Sequence, residues 1–174
     1  MARYILDPVM SQVAFEVRHA MITRVRGLFT SFDALLDDDA VSATLDVSSL
    51  NSGVRFRDEH LLAADFFDVA QFPEITFRST GIERDGDGDR ARVHGELTVK
   101  GRTQPVTLDV IDIAEADVPV PETGEIEHRL GFRVSTTVDR KDFGLDFHAE
   151  LPGGGLLLSD EVRIEIDGSA VRQD

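Results

Sequence analysis

The densest group of side chains able to do chemistry is Arg57-Asp58-Glu59-His60. Arg57 and His60 could hold a polar or anionic head group, with the Asp58 carboxylate orienting one of them. The same trio could instead tie a helix to its scaffold as a buried ion pair, since burial costs nearly what pairing returns. A third use is catalytic, with His60 and Asp58 as a base and its orienter. Two more basic residues fall on apolar faces. His19 shares the alternation of Val13, Phe15 and Val17, and Arg140 shares that of Phe132, Val134 and Val138. Both are expected to point inward near one end of an enclosed β structure. His19 is then a satisfied core histidine or a ligand contact. Arg140 meets either a carboxylate or an acidic ligand head.

The remaining chemistry is thinner. His94 lies on the polar face of its strand, His128 follows an acidic stretch, and His148 sits where no periodicity is visible. No two histidines stand at a zinc-like spacing, so no metal is expected. The glycine run at 153–155 lacks the Lys and Ser/Thr of a phosphate loop and reads as a hinge or rim before Leu156, Leu157 and Leu158. No G-x-S-x-G nucleophile motif occurs. The absence of cysteine removes thiolate chemistry and leaves the redox compartment undecided.

These residues must be positioned by strands, because period-two alternation dominates the chain. It is clean at residues 11–19, 41–48, 92–99, 130–138 and 160–167, where apolar side chains face charged ones. Residues 28–36, 75–82 and 105–114 read as three less regular strands, for about eight in all. Turn residues fall between them at 37–39, 85–89 and 100–101. The acidic stretch 112–127, with Pro119 and Pro121, reads as a long exposed loop. Residues 54–64 are helical in character, with Ser52 as the expected N-cap and Phe56, His60, Ala63 and Phe67 near one face. Strands with one apolar face must bury it in a sandwich or a closed barrel. Eight strands leave room inside a barrel for side chains or one small ligand.

Length and charge narrow the functions. With 174 residues the chain fits a single domain spanning 1–174. The net charge of −15 repels phosphate backbones, so nucleic acid is not expected as a partner, and it disfavours an anionic membrane. No apolar run is long enough to span a bilayer. The N-terminal residues show no secretory leader, so the expected location is cytoplasmic, or periplasmic or secreted if the chain has been processed. Eleven Phe against one Tyr and no Trp could fill a core or line a ligand cavity, and cavities are mostly apolar with a few placed polar groups.

Several motifs, in order along nearly the whole chain, resemble the YceI-like (polyisoprenoid-binding) family. They are Asp7-Pro8, Ser11, Phe15 and His19; Gly27 and Phe29; RDEHLLAADFFDVAQFPEITFRST at 57–80; GELTVKGRTQPVTL at 95–108; Arg140 with Asp142-Phe143-Gly144; and Asp160 with Val162. The sequence departs from the family at Tyr4, where a Trp is typical, and at Met10, where a His is typical. The resemblance implies an eight-stranded antiparallel lipocalin-like barrel around an elongated cavity. It implies an amphiphilic ligand: an isoprenoid, a prenyl quinone or a fatty-acid-like lipid. Pairing into a homodimer is compatible with it. No cofactor is expected beyond that ligand.

The expected function is therefore lipid binding for transport, storage or sequestration, without catalysis. Burying even about 400 Å² of ligand surface at roughly 25 cal/mol per Å² gives on the order of 10 kcal/mol before ordering costs. The expected lining is Phe15, Val17, Phe32, Phe77, Phe132 and Val134, with Phe67 and Phe143 added. The expected polar contacts are His19, Arg57, His60 and Arg140. The alternatives are a small lipid enzyme working through Asp58 and His60, and an interaction module with a filled core.

Overall fold

The computed structural model describes residues 2–149, 151–154 and 157–173. Eleven strands are β1 (Arg3–Leu6), β2 (Gln12–His19), β3 (Thr23–Phe29), β4 (Phe32–Asp37), β5 (Val41–Asp46), β6 (Leu50–Asn51), β7 (Glu74–Arg84), β8 (Ala91–Val99), β9 (Arg102–Pro119), β10 (Ile126–Asp139) and β11 (Leu158–Gln173). One α-helix, α1 (Arg55–Leu62), lies between β6 and β7. All pairings are antiparallel, and β1 closes the sheet on β11. Three staves are interrupted: β1 and β2 both run along β11, β4 pairs with β1 while β3 pairs with β2, and β6 continues β5 beside β3. Counted as staves, the molecule is a closed eight-stranded barrel whose sequential neighbours are paired. Closure removes the free edges of an open sheet, except where β9 runs on beyond its pairing with β8.

The breaks explain residues that alternation leaves unexplained. Between β1 and β2, the Asp7 N–H donates to the Ser169 carbonyl at 2.8 Å. Ser11 Oγ donates to the same carbonyl and accepts from Ser169 N–H. Arg129 donates to Asp7 and Ser169 Oγ through Nη1 and to Glu127 through Nη2. Backbone groups freed by the break are thus satisfied by side chains. Burial alone would raise the Asp7 carboxyl pKa. Hydrogen bonds from Arg129 and from the backbone N–H groups of Val9 and Met10 outweigh it and hold the group below its ordinary value. Tyr4, on β1, donates to Glu115 at 2.8 Å, whereas Met10 is exposed.

Four local expectations need correction. Residues 28–36 are not one strand: Thr30 and Ser31 form the break between β3 and β4, bonded to Ser49 and Asp46. Residues 112–127 are not a loop but the outer part of the β9–β10 hairpin, with the turn confined to the residues between Pro119 and Ile126. Its acidic composition obscured a strand in which Glu115 and Asp117 alternate with Ala114, Ala116 and Val118, with Glu127 on the other face. Ser52 does not cap α1. Val54 occupies the N-cap position, and Ser52 instead donates from N (2.9 Å) and Oγ to the Asp58 carboxylate. Finally, Phe56 does not share the inner face, being 81% exposed.

Packing concentrates where α1 and the segment after it lie against the barrel. Val13, Phe29, Val47, Leu50, Ile75 and Phe143 form a buried cluster there. Among the described residues, no helix is long and apolar enough to cross a membrane.

Candidate functional site

The barrel is not filled. It encloses a cavity of about 400 Å³ walled almost entirely by apolar side chains. The lining runs from Leu6 and Leu36 at one end to His19, Arg57 and His60 at the other. Along β10 it extends from Phe132 to Val138, roughly 20 Å of strand at the usual rise.

Phe15 and Val17 on β2 and Phe32 on β4 line this space. So do Phe77 on β7 and Phe132 and Val134 on β10. Phe67 and Phe143 also reach it from the buried cluster. All of these follow from strand parity except the last two, which sit outside the strands. Thr136 is a polar side chain on the same wall, and its hydroxyl donates to the Thr107 carbonyl at 2.9 Å. The wall therefore offers the interior little hydrogen-bonding capacity.

Glycines keep the space open. Gly27 lies directly across from Phe15, and Gly168 from Phe132. A Cβ at Gly27 would stand 2.2 Å from the Phe15 ring, and one at Gly168 2.3 Å from the Phe132 ring. Directly opposed residues share a face, so each ring lies down over a bare Cα instead of standing in the lumen. Phe77 also lies over a bare Cα, that of Gly95, from the diagonal position.

The polar residues cluster at one end, the mouth, formed by the β2–β3 hairpin, α1 and the segment joining β10 to β11. Arg57 reaches the cavity but also holds its scaffold: Nε donates to Ser52 Oγ at 2.7 Å and Nη2 to the Ser52 carbonyl at 2.8 Å. Its Nη1 carries no hydrogen bond among the described residues. His60 packs edge-on against Phe66 and Phe147, with centroids at 5.1 and 5.3 Å, and its Nε2 is 3.9 Å from Asp65. Asp58 is engaged by Ser52 and forms no pair with His60, so the base-and-orienter arrangement is not assembled. His19 lines the cavity as an exposed rim residue, not as a core histidine.

Arg140 points inward as its parity requires and is buried. Its guanidinium is occupied by the Leu145, Phe147 and Ser159 carbonyls and by Asp160 at 3.6 Å. Of the two expected partners it meets the carboxylate, and it shapes the mouth by holding the otherwise aperiodic segment around Phe147. Sequence reasoning missed Phe66 and Phe147 as lining residues, since neither belongs to a regular element. Leu157 and Leu158 line the cavity too. The glycine run reaches Gly153 and Gly154, while Gly155 and Leu156 lie outside the described residues. His94 contacts Thr107 and Glu83, and His128 contacts Asp117. Among the described residues no group of side chains is arranged to hold a metal ion.

Comparison with known proteins agrees with this architecture. The model of the YceI-like domain matches residues 4–170. The UPF0312 protein SA2479 of Staphylococcus aureus is 30% identical over 172 residues, covering 95% of both chains. The crystal structure of BcnA from Burkholderia cenocepacia superposes with a TM-score of 0.76 at 23% identity, covering 94% of this chain and 98% of that one. A polyisoprenoid binding domain from Saccharophagus degradans superposes with a TM-score of 0.70 at 14% identity, covering 98% of each chain. With the barrel, its cavity and the motif block at 57–80 falling inside the matched span, the chain belongs to the YceI-like family.

Proposed function

We propose that the protein binds an amphiphilic lipid, an isoprenoid, prenyl quinone or fatty-acid-like molecule, with its apolar chain along the barrel interior, and that it carries or sequesters this lipid without transforming it. The observation that carries this reading is the apolar cavity of about 400 Å³, within the range of roughly 300–1,000 Å³ usual for small-molecule sites. The polyisoprenoid-binding domain of the same fold supports the ligand class. The unassembled Asp58–His60 pair argues against the enzymatic alternative.

The polar head would then lie at the mouth, near the open Nη1 of Arg57 and the imidazoles of His60 and His19. Blocking the lumen tests the reading. Ala43 lines the cavity and stands opposite Phe77. Ala43→Phe should reduce the affinity for a fluorescent fatty acid by about tenfold or more by filling ligand space. A folded variant with undiminished affinity would place the probe outside the barrel and overturn the proposal.

A further inference from the structure

A cavity for a long apolar chain poses a loading problem, because the chain must leave a lipid phase without crossing much water. The mouth carries exposed apolar side chains that neither the barrel core nor the cavity uses. Ile22 is 84% exposed and Met21 47% exposed at the tip of the β2–β3 hairpin. Phe56 and Val54, at the start of α1, are comparably bare. Both groups lie within a few residues of cavity lining: Val17, His19 and Val25 on the hairpin, Arg57 and His60 on the helix. The hairpin tip also departs from turn chemistry. Ala20 and Met21 both have positive φ, 51° and 61°, where Asn and Gly are the favoured residues. An apolar side chain is held at the tip against the local backbone preference.

Charge is also unevenly distributed. A net charge of −15 would repel an anionic surface if it were spread evenly. The acidic turns at 37–39, 85–89 and 122–125 are at the far end of the barrel, where β4–β5, β7–β8 and β9–β10 reverse. The mouth hairpin carries Arg18, Arg24 and Arg26, and Arg55 begins the helix; the acids at this end, Asp58, Glu59 and Asp65, are engaged by Ser52, Arg55 and His60, while Asp68 adds one more. Arg24 and Arg55 have carboxylate neighbours, the half-buried Glu16 and the exposed Glu59, and Arg26 pairs with Glu165; the exposed pairs among these are weak and exchangeable.

We infer that the hairpin tip and the start of α1 dock the mouth of the barrel onto a lipid bilayer, so that the ligand exchanges directly between membrane and cavity. This rests on the lipid-binding reading above. The two apolar groups are small and separate, unlike the roughly 800 Å² per partner of a stable protein interface. Isolated apolar side chains beside basic ones are the composition that anchors a protein at the interfacial layer of a bilayer. Docked this way, the three acidic turns point away from the surface.

The experiment is co-sedimentation of the full chain with vesicles of phosphatidylcholine containing roughly one-third phosphatidylglycerol, run beside titration with a fluorescent fatty acid below its micellar concentration. The doubly substituted Ile22→Asp/Phe56→Asp protein should bind vesicles about tenfold or more weakly than the parent. It should keep its affinity for the soluble probe within about twofold, since neither side chain lines the cavity. Parent protein that does not bind vesicles, or a double variant that binds them equally well, overturns the docking surface. So does light scattering that shows a parent dimer dissociated by the two substitutions, because a second copy would then cover the patch. Loss of vesicle binding in the variant, with no probe uptake by either protein, would uphold the docking surface and defeat the cavity reading alone.

Discussion

At the scale of single residues, the basic side chains divide by what they already hold. Arg140 gives three hydrogen bonds to the Ser159, Leu145 and Phe147 carbonyls and pairs with Asp160, so it builds the mouth. Arg57 is partly engaged, and this makes its role separable. Arg57→Ala should weaken an acid-headed lipid by about tenfold, the worth of one charge-assisted hydrogen bond, and spare a headless hydrocarbon. Ser52→Ala removes the hydroxyl contacts to Arg57 and Asp58 but leaves the backbone ones and the guanidinium, so it should lower the melting temperature without changing the preference between the two ligands. Titrating both variants with both ligands checks this, and equal losses in Arg57→Ala would make the residue a scaffold element. Asp7 carries a different prediction. Its folded pKa lies below the ordinary 3.8, so its contribution is fully present above that value and is lost as pH falls through the lower folded one. Arg129→Met should cost about 2–3 kcal/mol near neutrality, or roughly 5–10 °C in melting temperature for a domain of this size. That deficit should shrink in acid melts below about pH 4. A deficit independent of pH would show that the pair is not what stabilises the β1–β2 break.

At the scale of elements, the rings and the glycines opposite them act as units. Gly168→Ala should force the Phe132 ring off the wall, costing about 1–3 kcal/mol and reducing ligand affinity. Adding Phe132→Leu should restore much of both, and a double-mutant cycle measures the coupling; purely additive effects would contradict the contact. Strand parity made the lining legible, since Phe15, Val17, Phe77, Phe132 and Val134 are inward because the side-chain period is two. What parity cannot show is the interruption of a stave. The breaks at residues 7–11, 30–31 and 47–49 depend on hydrogen bonds to Ser169, Ser49 and Pro73 from distant parts of the chain. Residues 112–127 were obscured because acids on both faces of a projecting hairpin look like a loop by composition. Phe66 and Phe147 were invisible for a related reason: they are placed by Arg140 and His60, not by a repeating pattern.

At the scale of the whole molecule, alternation on about eight segments demands a two-sided β structure but does not choose between sandwich and barrel. The choice is made by β1 pairing with both β4 and β11, a contact between chain termini that no local signal contains. Closure produces an interior, and flattened Phe rings leave that interior empty enough to hold a ligand. The central claim is that an apolar chain occupies it. Extraction of the purified protein with organic solvent, followed by mass spectrometry, tests this most directly. The account predicts an isoprenoid-like or fatty-acid-like lipid recovered in near-stoichiometric amount from the parent protein and depleted from Ala43→Phe. A lipid-free extract from a parent protein that also fails to take up added prenyl or fatty-acyl chains would contradict it.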